Sequence, residues 1–338
     1  MGSTAAAMSD TVAPRVIYYD PHHWRDHFFD IRGSMVQAIG ARSLAATGFS
    51  TVFVLVHHFV VAIPTIEKVH GFVGPALALL LVFRTNASYD RFWEARKLWG
   101  SIVNESRNVT RDAVVLLGSD PALLARMIRW SIAFPYAAMH HLRGKRGLGP
   151  MEAELPRDEM LHVRDAQHPP LACAIQISRC INEGRRAGHI DSVLQAALDH
   201  NNQVLIDCMG ACERILKTPL PFAYVVHLRR ALMLYCATLP CSLLQYFGLG
   251  AIPLTLAVSF VLLGIEEIGV EIEEPFGTDD NDLPLEDICA AIEANLRAYI
   301  PKDAPAPSRT AGSTLTPAHT AALAAEGAST KPMPGAPA

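Results

Sequence analysis

The chain has 338 residues, of which 50% are hydrophobic and 18% charged. Soluble domains carry about 25% charged residues, so the deficit points to lipid contact. A formal net charge of −4 excludes nucleic acid as the main partner, because that role needs a strong basic footprint.

Residues 1–20 are small and polar, and residues 1–14 lack the basic stretch and apolar core of a signal peptide. Insertion through internal spans, as in a bacterial inner membrane, is therefore expected. An aromatic, mixed-charge stretch follows from Trp24 to Arg42 and includes Phe28, Phe29 and Ile31. Its composition suits a helix lying at a membrane surface, so residues 1–42 form an N-terminal segment with an interfacial helix.

Residues 43–66 contain no Asp, Glu, Lys or Arg. At about 1.5 Å per residue that run is long enough to cross a hydrocarbon layer of ~30 Å. Glu67 and Lys68 interrupt, and a second uncharged run covers 69–83. It is short for a span and is expected to continue past Arg84 within a protein bundle. Residues 43–83 are thus the first transmembrane hairpin. Arg25, Arg32 and Arg42 precede it, and Arg84, Arg91, Arg96, Lys97, Arg107 and Arg111 follow it. The positive-inside rule makes both flanks cytoplasmic and the short connecting loop external.

Residues 84–230 read as a cytoplasmic helical region. Apolar residues recur at helical spacing, as in Leu123, Met127, Ile128 and Ile132. Breaks fall at Gly118 to Pro121, Gly144 to Pro150 and His168 to Pro170. Residues 231–265 are again free of formal charge, a run that as one helix would reach about 50 Å, too long for one crossing. Gly248, Gly250 and Pro253 divide it, so residues 231–270 form a second transmembrane hairpin that enters behind Arg229 and Arg230. An acidic segment covers 271–300, and the Ala-, Pro-, Thr- and Ser-rich tail 301–338 is expected to be disordered. The fold class is all-α: four transmembrane helices in two hairpins, a cytoplasmic helical body between them, and both termini in the cytoplasm.

The seven cysteines include no Cys-x-x-Cys pair and read as small buried hydrophobes in a reducing compartment. Histidine doublets stand at His22–His23, His57–His58 and His140–His141, and His23 with His27 makes one His-x3-His. A membrane di-iron oxygenase needs several such boxes. Adjacent histidines on a helix diverge by about 100°, which disfavours that reading. No nucleotide or hydrolase motif is present. The most informative stretch is 83–100, where Tyr89, Trp93, Arg96 and Gly100 share a helical face and Trp93 and Trp99 suit a membrane boundary or buried contacts. From chemistry alone it is also compatible with an ordinary juxtamembrane helix.

That stretch resembles the corresponding helix of bacterial and chloroplast bestrophins, and so does Arg32-Gly33-Ser34. Thr218-Pro219-Leu220-Pro221-Phe222-Ala223-Tyr224 resembles the family's Pro-x-Pro turn before its third span. The run from Glu273 to Asp282 resembles the acidic segment after its fourth. The resemblance covers residues 30–300. It implies a homopentamer with one axial pore for small ions, often chloride, with some bacterial members favouring cations. It places a hydrophobic neck at Phe72, Ala76 and Leu80, which have i, i+4, i+8 spacing and so share a helical face. It places a cytosolic aperture at Leu220, whose flanking prolines restrict the backbone. In animal members the acidic segment helps to hold calcium. Here that role would fall to Glu274, Asp279 and Asp282, with a helix-capping acidic loop as the alternative. No other cofactor and no catalytic residue is implied. The partners are further copies of the chain, small ions and lipid. A non-conducting membrane scaffold would explain the spans but not the neck or the Pro-Leu-Pro turn.

Overall fold

The structure is a computed structural model and describes residues 35–61 and 67–303. The aromatic segment from Trp24, the Arg32-Gly33-Ser34 motif, the histidines at 22, 23 and 27, and the tail beyond 303 lie outside the described residues. Among the described residues all regular elements are helical.

The first helix, α1, runs Val36–Phe59. Val36 to Arg42 are therefore continuous with the first apolar run in one helix. Its buried residues include Ser43 and Ser50. Small side chains let a neighbouring helix approach closely, and hydroxyls give it a partner. Ser50 Oγ donates to Thr255 Oγ1 at 3.2 Å.

Helix α2 runs Glu67–Leu116, a single helix of 50 residues, or about 75 Å. That is more than twice a hydrocarbon layer. Its N-terminal third is apolar and its C-terminal half is amphipathic, so one rod joins the membrane region to the helical body. Pro75 sits within the first turns and does not end it.

The body consists of α3 (Pro121–Leu142), a 3₁₀ turn (Gly149–Ala153), α4 (Arg157–Arg164), α5 (Pro169–Arg186) and α6 (Ser192–Lys217). Local chemistry starts these helices where proline or a capping side chain stands. Asp120 accepts from Leu123 N at 3.0 Å, with Pro121 behind it. Asp191 accepts from both Val193 N and Leu194 N. The break at Gly188 to Asp191, which separates α5 from α6, adds to the three breaks legible in the sequence. The largest apolar core lies here, around Trp99, Ile128, Trp130, Phe134, Ile177, Leu205 and Ile292.

Helix α7 runs Phe222–Phe247 and α8 runs Ala251–Glu271. Helix α7 begins at Phe222, ahead of the charge-free run, because Pro221 initiates it and Arg229 and Arg230 ride on its exposed face. The Gly248–Gly250 turn separates the two, and Gly248 takes φ +50°, a conformation that glycine adopts without a Cβ clash. Helices α7 and α8 pack side by side, α8 also lies against α1, and α7 against α2. Helix α9 (Leu285–Arg297) returns onto α3 and α2.

Among the described residues, three segments are long and apolar enough to cross a membrane, namely Val36–Phe59, Lys68–Leu116 and Phe222–Glu271. The glycine turn divides the last into two helices. Between these helices the cores are small. One gathers Ile39, Leu77, Leu81, Leu228, Leu232, Cys236 and Leu263, and the other Val54, Leu244 and Ala251. Outside them, Leu44, Phe49, Val52, Phe59, Phe72, Phe83 and Leu234 remain exposed. An apolar surface this extensive needs lipid or another subunit to cover it.

Candidate pore-lining helix and its charged inner junction

One face of α2 is buried through Leu77, Leu81, Arg84 and Ser88. The opposite face is uncovered. Phe72 is 82% exposed and Ala76 is exposed with it. Leu80 is half-buried, packs beside the inner small core, and its carbonyl accepts from the Tyr224 hydroxyl at 2.7 Å. Leu79 and Phe83 are exposed instead, so Phe72, Ala76, Leu79 and Phe83 form the uncovered stripe. Alternating steps of four and three residues keep such a stripe straight on a 3.6-residue helix, whereas successive steps of four drift by about 40° each. That drift carries Leu80 toward the packed side. Further along, Tyr89 and Trp93 stay exposed while Trp99 is fully buried.

Charge is concentrated just below the stripe. Arg84 is only 1% exposed and Glu266 on α8 only 2%. Arg84 Nη1 donates to Glu266 Oε1, and Arg84 Nη2 lies 3.7 Å from Glu273. Arg229 on α7 donates to the same Glu266 oxygen at 2.9 Å. Arg42 on α1 pairs with Glu267 at 2.6 Å and approaches Glu266 at 3.9 Å. Four apolar helices are thus joined by one charged junction. The sequence showed Arg84 and Glu266 only as flanking charges. A lone arginine between an apolar run and an amphipathic one was the available signal for the pairing.

The Pro-Leu-Pro turn is anchored to the same region. Arg91 donates from Nε to Glu273 O at 3.1 Å, from Nη2 to Ile215 O at 2.8 Å, and from Nη1 to Thr218 O. The backbone N–H of Leu220 donates to Glu273 Oε1 at 3.3 Å. A cavity of about 370 Å³ opens beneath, lined by Arg91, Leu216, Pro219, Val270, Glu273 and Phe276 among others. Leu220 itself is half-buried in the bend. Glu273 therefore touches Arg84, Arg91 through its carbonyl, and Leu220, linking the end of α8 to α2 and the turn.

The acidic segment folds into a tight turn. Asp282 Oδ2 accepts from Asp279 N at 2.6 Å, and Asp282 N donates to Asp279 O at 3.1 Å. Burial pushes the Asp282 carboxyl up to about 6, and Asp279 and Glu274 add to the effect. Arg143 holds the segment to the end of α3, donating to Phe276 O at 3.0 Å and to both oxygens of Glu286 at 2.5 and 3.0 Å. The adjoining cavity measures about 10 Å³, roughly one water. Among the described residues, the His, Cys, Asp and Glu side chains whose ligand atoms converge as a set of three are His141, His168 and Glu213.

The family model for bacterial and fungal bestrophin proteins matches residues 15–298. The chain belongs to the bestrophin family. Among curated relatives, a voltage-dependent anion channel-forming protein of Nostoc sp. is 37% identical over 280 residues, covering 81% of this chain and 91% of that one. The Escherichia coli protein of the same description is 31% identical over 276 residues, covering 81% and 90%. A crystal structure of a bacterial bestrophin homologue from Klebsiella pneumoniae is 28% identical, aligns with a TM-score of 0.74, and covers 78% of this chain and 98% of its own. The chain is an integral membrane protein, helical in its regular elements among the described residues and consistent with a bacterial inner membrane.

Proposed function

We propose that this bestrophin is a passive anion channel, not an enzyme, that crosses the membrane four times and assembles as a homopentamer around the exposed face of α2. The observation that carries the reading is the uncovered apolar stripe on α2, which leads into the charged junction and the anchored Leu220 turn. A single chain leaves Phe72 82% exposed. Copies arranged around an axis would gather these side chains into rings.

Phe72 and Ala76 are the proposed neck together with Leu79 and Phe83 on the exposed side, and the half-buried Leu80 is proposed to border it where α2 meets α7. An apolar ring gates by dewetting, because an ion there loses hydration with nothing to replace it. Leu220 is the proposed cytosolic aperture, and its side chain is aimed by two prolines and by the bonds that Arg91 and Glu273 make to the turn. Anion preference is supported by the description of the relatives as anion channel-forming proteins.

A cation-selective pore is the second reading. It is favoured by the exposed Glu274, Asp279 and Asp280 at the inner end of α8. The acidic turn is proposed as a cap that closes on itself, rather than a calcium site. Asp282 already accepts from Asp279, and the adjoining cavity is the size of one water. Chelating calcium is then expected to leave the current unchanged.

Purified protein in planar bilayers under a potassium chloride gradient tests the function. A reversal potential near that of chloride supports anion conduction. One near that of potassium supports the second reading. A flat record from folded pentamers would refute conduction and favour a scaffold.

A further inference from the structure

Three side chains from three helices meet away from the stripe. His141 is on the last turn of α3, His168 stands immediately before α5, and Glu213 is near the end of α6. His141 Nε2 lies 2.7 Å from Glu213 Oε1, and His168 Nε2 lies 3.1 Å from the same oxygen. The two imidazole rings sit 4.6 Å apart between centroids at 32°. One ligand atom from each residue lies within 4.8 Å of the others.

We propose that His141, His168 and Glu213 form a binding site for a divalent first-row transition cation of the zinc class. The donor set is two imidazoles and one carboxylate, which suits such ions better than the all-oxygen sets preferred by calcium or magnesium. A tetrahedral zinc with ligands about 2.0–2.2 Å away holds them roughly 3.3 Å apart, so the observed spacings need only small side-chain shifts. All three residues are partly exposed, so solvent reaches the cluster.

Two local groups oppose the ion, and each can yield. Lys217 Nζ pairs with Glu213 Oε2 at 3.2 Å, but its side chain is largely exposed and can turn to water. His168 Nδ1 accepts from Leu171 N at 3.1 Å, capping α5. Ligation through Nε2 moves the ring proton to Nδ1, so His168 exchanges that cap for a coordinate bond and no proton leaves the site. A bound ion would tie the end of α6, just before the Pro-Leu-Pro turn, to α3 and α5.

The experiment is a titration of the full chain, stripped with a chelator and held in detergent, with zinc chloride, read by calorimetry and thermal unfolding. One zinc per chain at the tightest site and a raised unfolding midpoint are expected. Calcium chloride in hundredfold excess should not compete, and competition would overturn the assignment of metal class. His168→Asn keeps a good helix cap on Leu171 while removing the imidazole. It should unfold like the native chain in chelator, yet bind zinc at least about tenfold more weakly. Glu213→Gln provides a second, independent loss. Undiminished zinc affinity in either variant would overturn the site. None of these readouts depends on ion conduction, so failure here is distinguishable from failure of the channel reading.

Discussion

Replacing Glu266 with glutamine should be the most damaging single change at the charged junction. Glu266 is 2% exposed and is approached by Arg84, Arg229 and Arg42. Of these, Arg84 is 1% exposed and its Nε has no hydrogen-bond partner, so it has little access to water. Removing one member of a buried pair leaves an uncompensated charge and costs about 3–5 kcal/mol. Arg229 and Arg42 are about half-exposed, so their loss of a partner adds little. Glu273 at 3.7 Å recovers part of the interaction, which puts Glu266→Gln near the lower end, about 3 kcal/mol. The opposite change is milder. Arg84→Met leaves Glu266 with Arg229 at 2.9 Å and fills the same volume with apolar atoms. Removing both charges together, as Arg84→Met with Glu266→Leu, should recover most of the loss, because well-packed apolar replacements of buried pairs are often neutral. The assay is thermal unfolding in detergent at a fixed scan rate, arranged as a double-mutant cycle. At roughly 2 °C per kcal/mol, Glu266→Gln should lower the midpoint by about 6 °C. A midpoint within about 1 °C of the native one, or a double variant no more stable than Glu266→Gln, would refute the reasoning.

Three further outcomes are expected. Leu220→Ala should change single-channel conductance or ion selectivity, and unaltered currents from a folded variant would rule out Leu220 as the aperture. Arg91→Lys removes the fork that reaches the carbonyls of Ile215, Thr218 and Glu273, since one ammonium cannot serve three directions. Amide exchange should then rise at Leu220 and Thr218 and stay unchanged in α3, whereas equal protection throughout would contradict the anchoring role. Asp282 has its carboxyl raised from 3.8 to about 6 by burial, so the folded chain holds a proton there that the unfolded chain has released. Stability from this group is therefore lost as pH rises from about 4 through 6. Asp282→Asn should flatten the unfolding midpoint across that window, and an unchanged slope would show that other groups set it.

Much of the fold was legible because lipid imposes one-dimensional rules. A run without formal charge marks a span, and a glycine pair marks where it reverses, so the α7–α8 hairpin could be read near its true turn at Gly248–Gly250. Prolines and capping side chains marked the starts of α3 and α5 equally well. Family membership followed from short motifs around Trp93, Leu220 and Asp279, whose order along the chain is itself information. The continuity of α2 was only partly visible, since an arginine inside an apolar helix reads locally as a boundary.

What needed the tertiary structure were relations between segments far apart in the chain. Leu80 turned toward the packed side while Leu79 and Phe83 stayed exposed, because the position of α7 decides which face of α2 is covered. Glu266 reads in sequence as one of several acids closing a span, yet in the fold it joins Arg84, Arg229 and Arg42 from three other helices. His141, His168 and Glu213 carry no motif spacing and meet only because α3, α5 and α6 converge. The sequence by itself determined where helices start, stop and tolerate lipid, since those depend on composition and near neighbours. Which charges pair and which faces remain open depended on packing between helices, and only the folded chain could decide them.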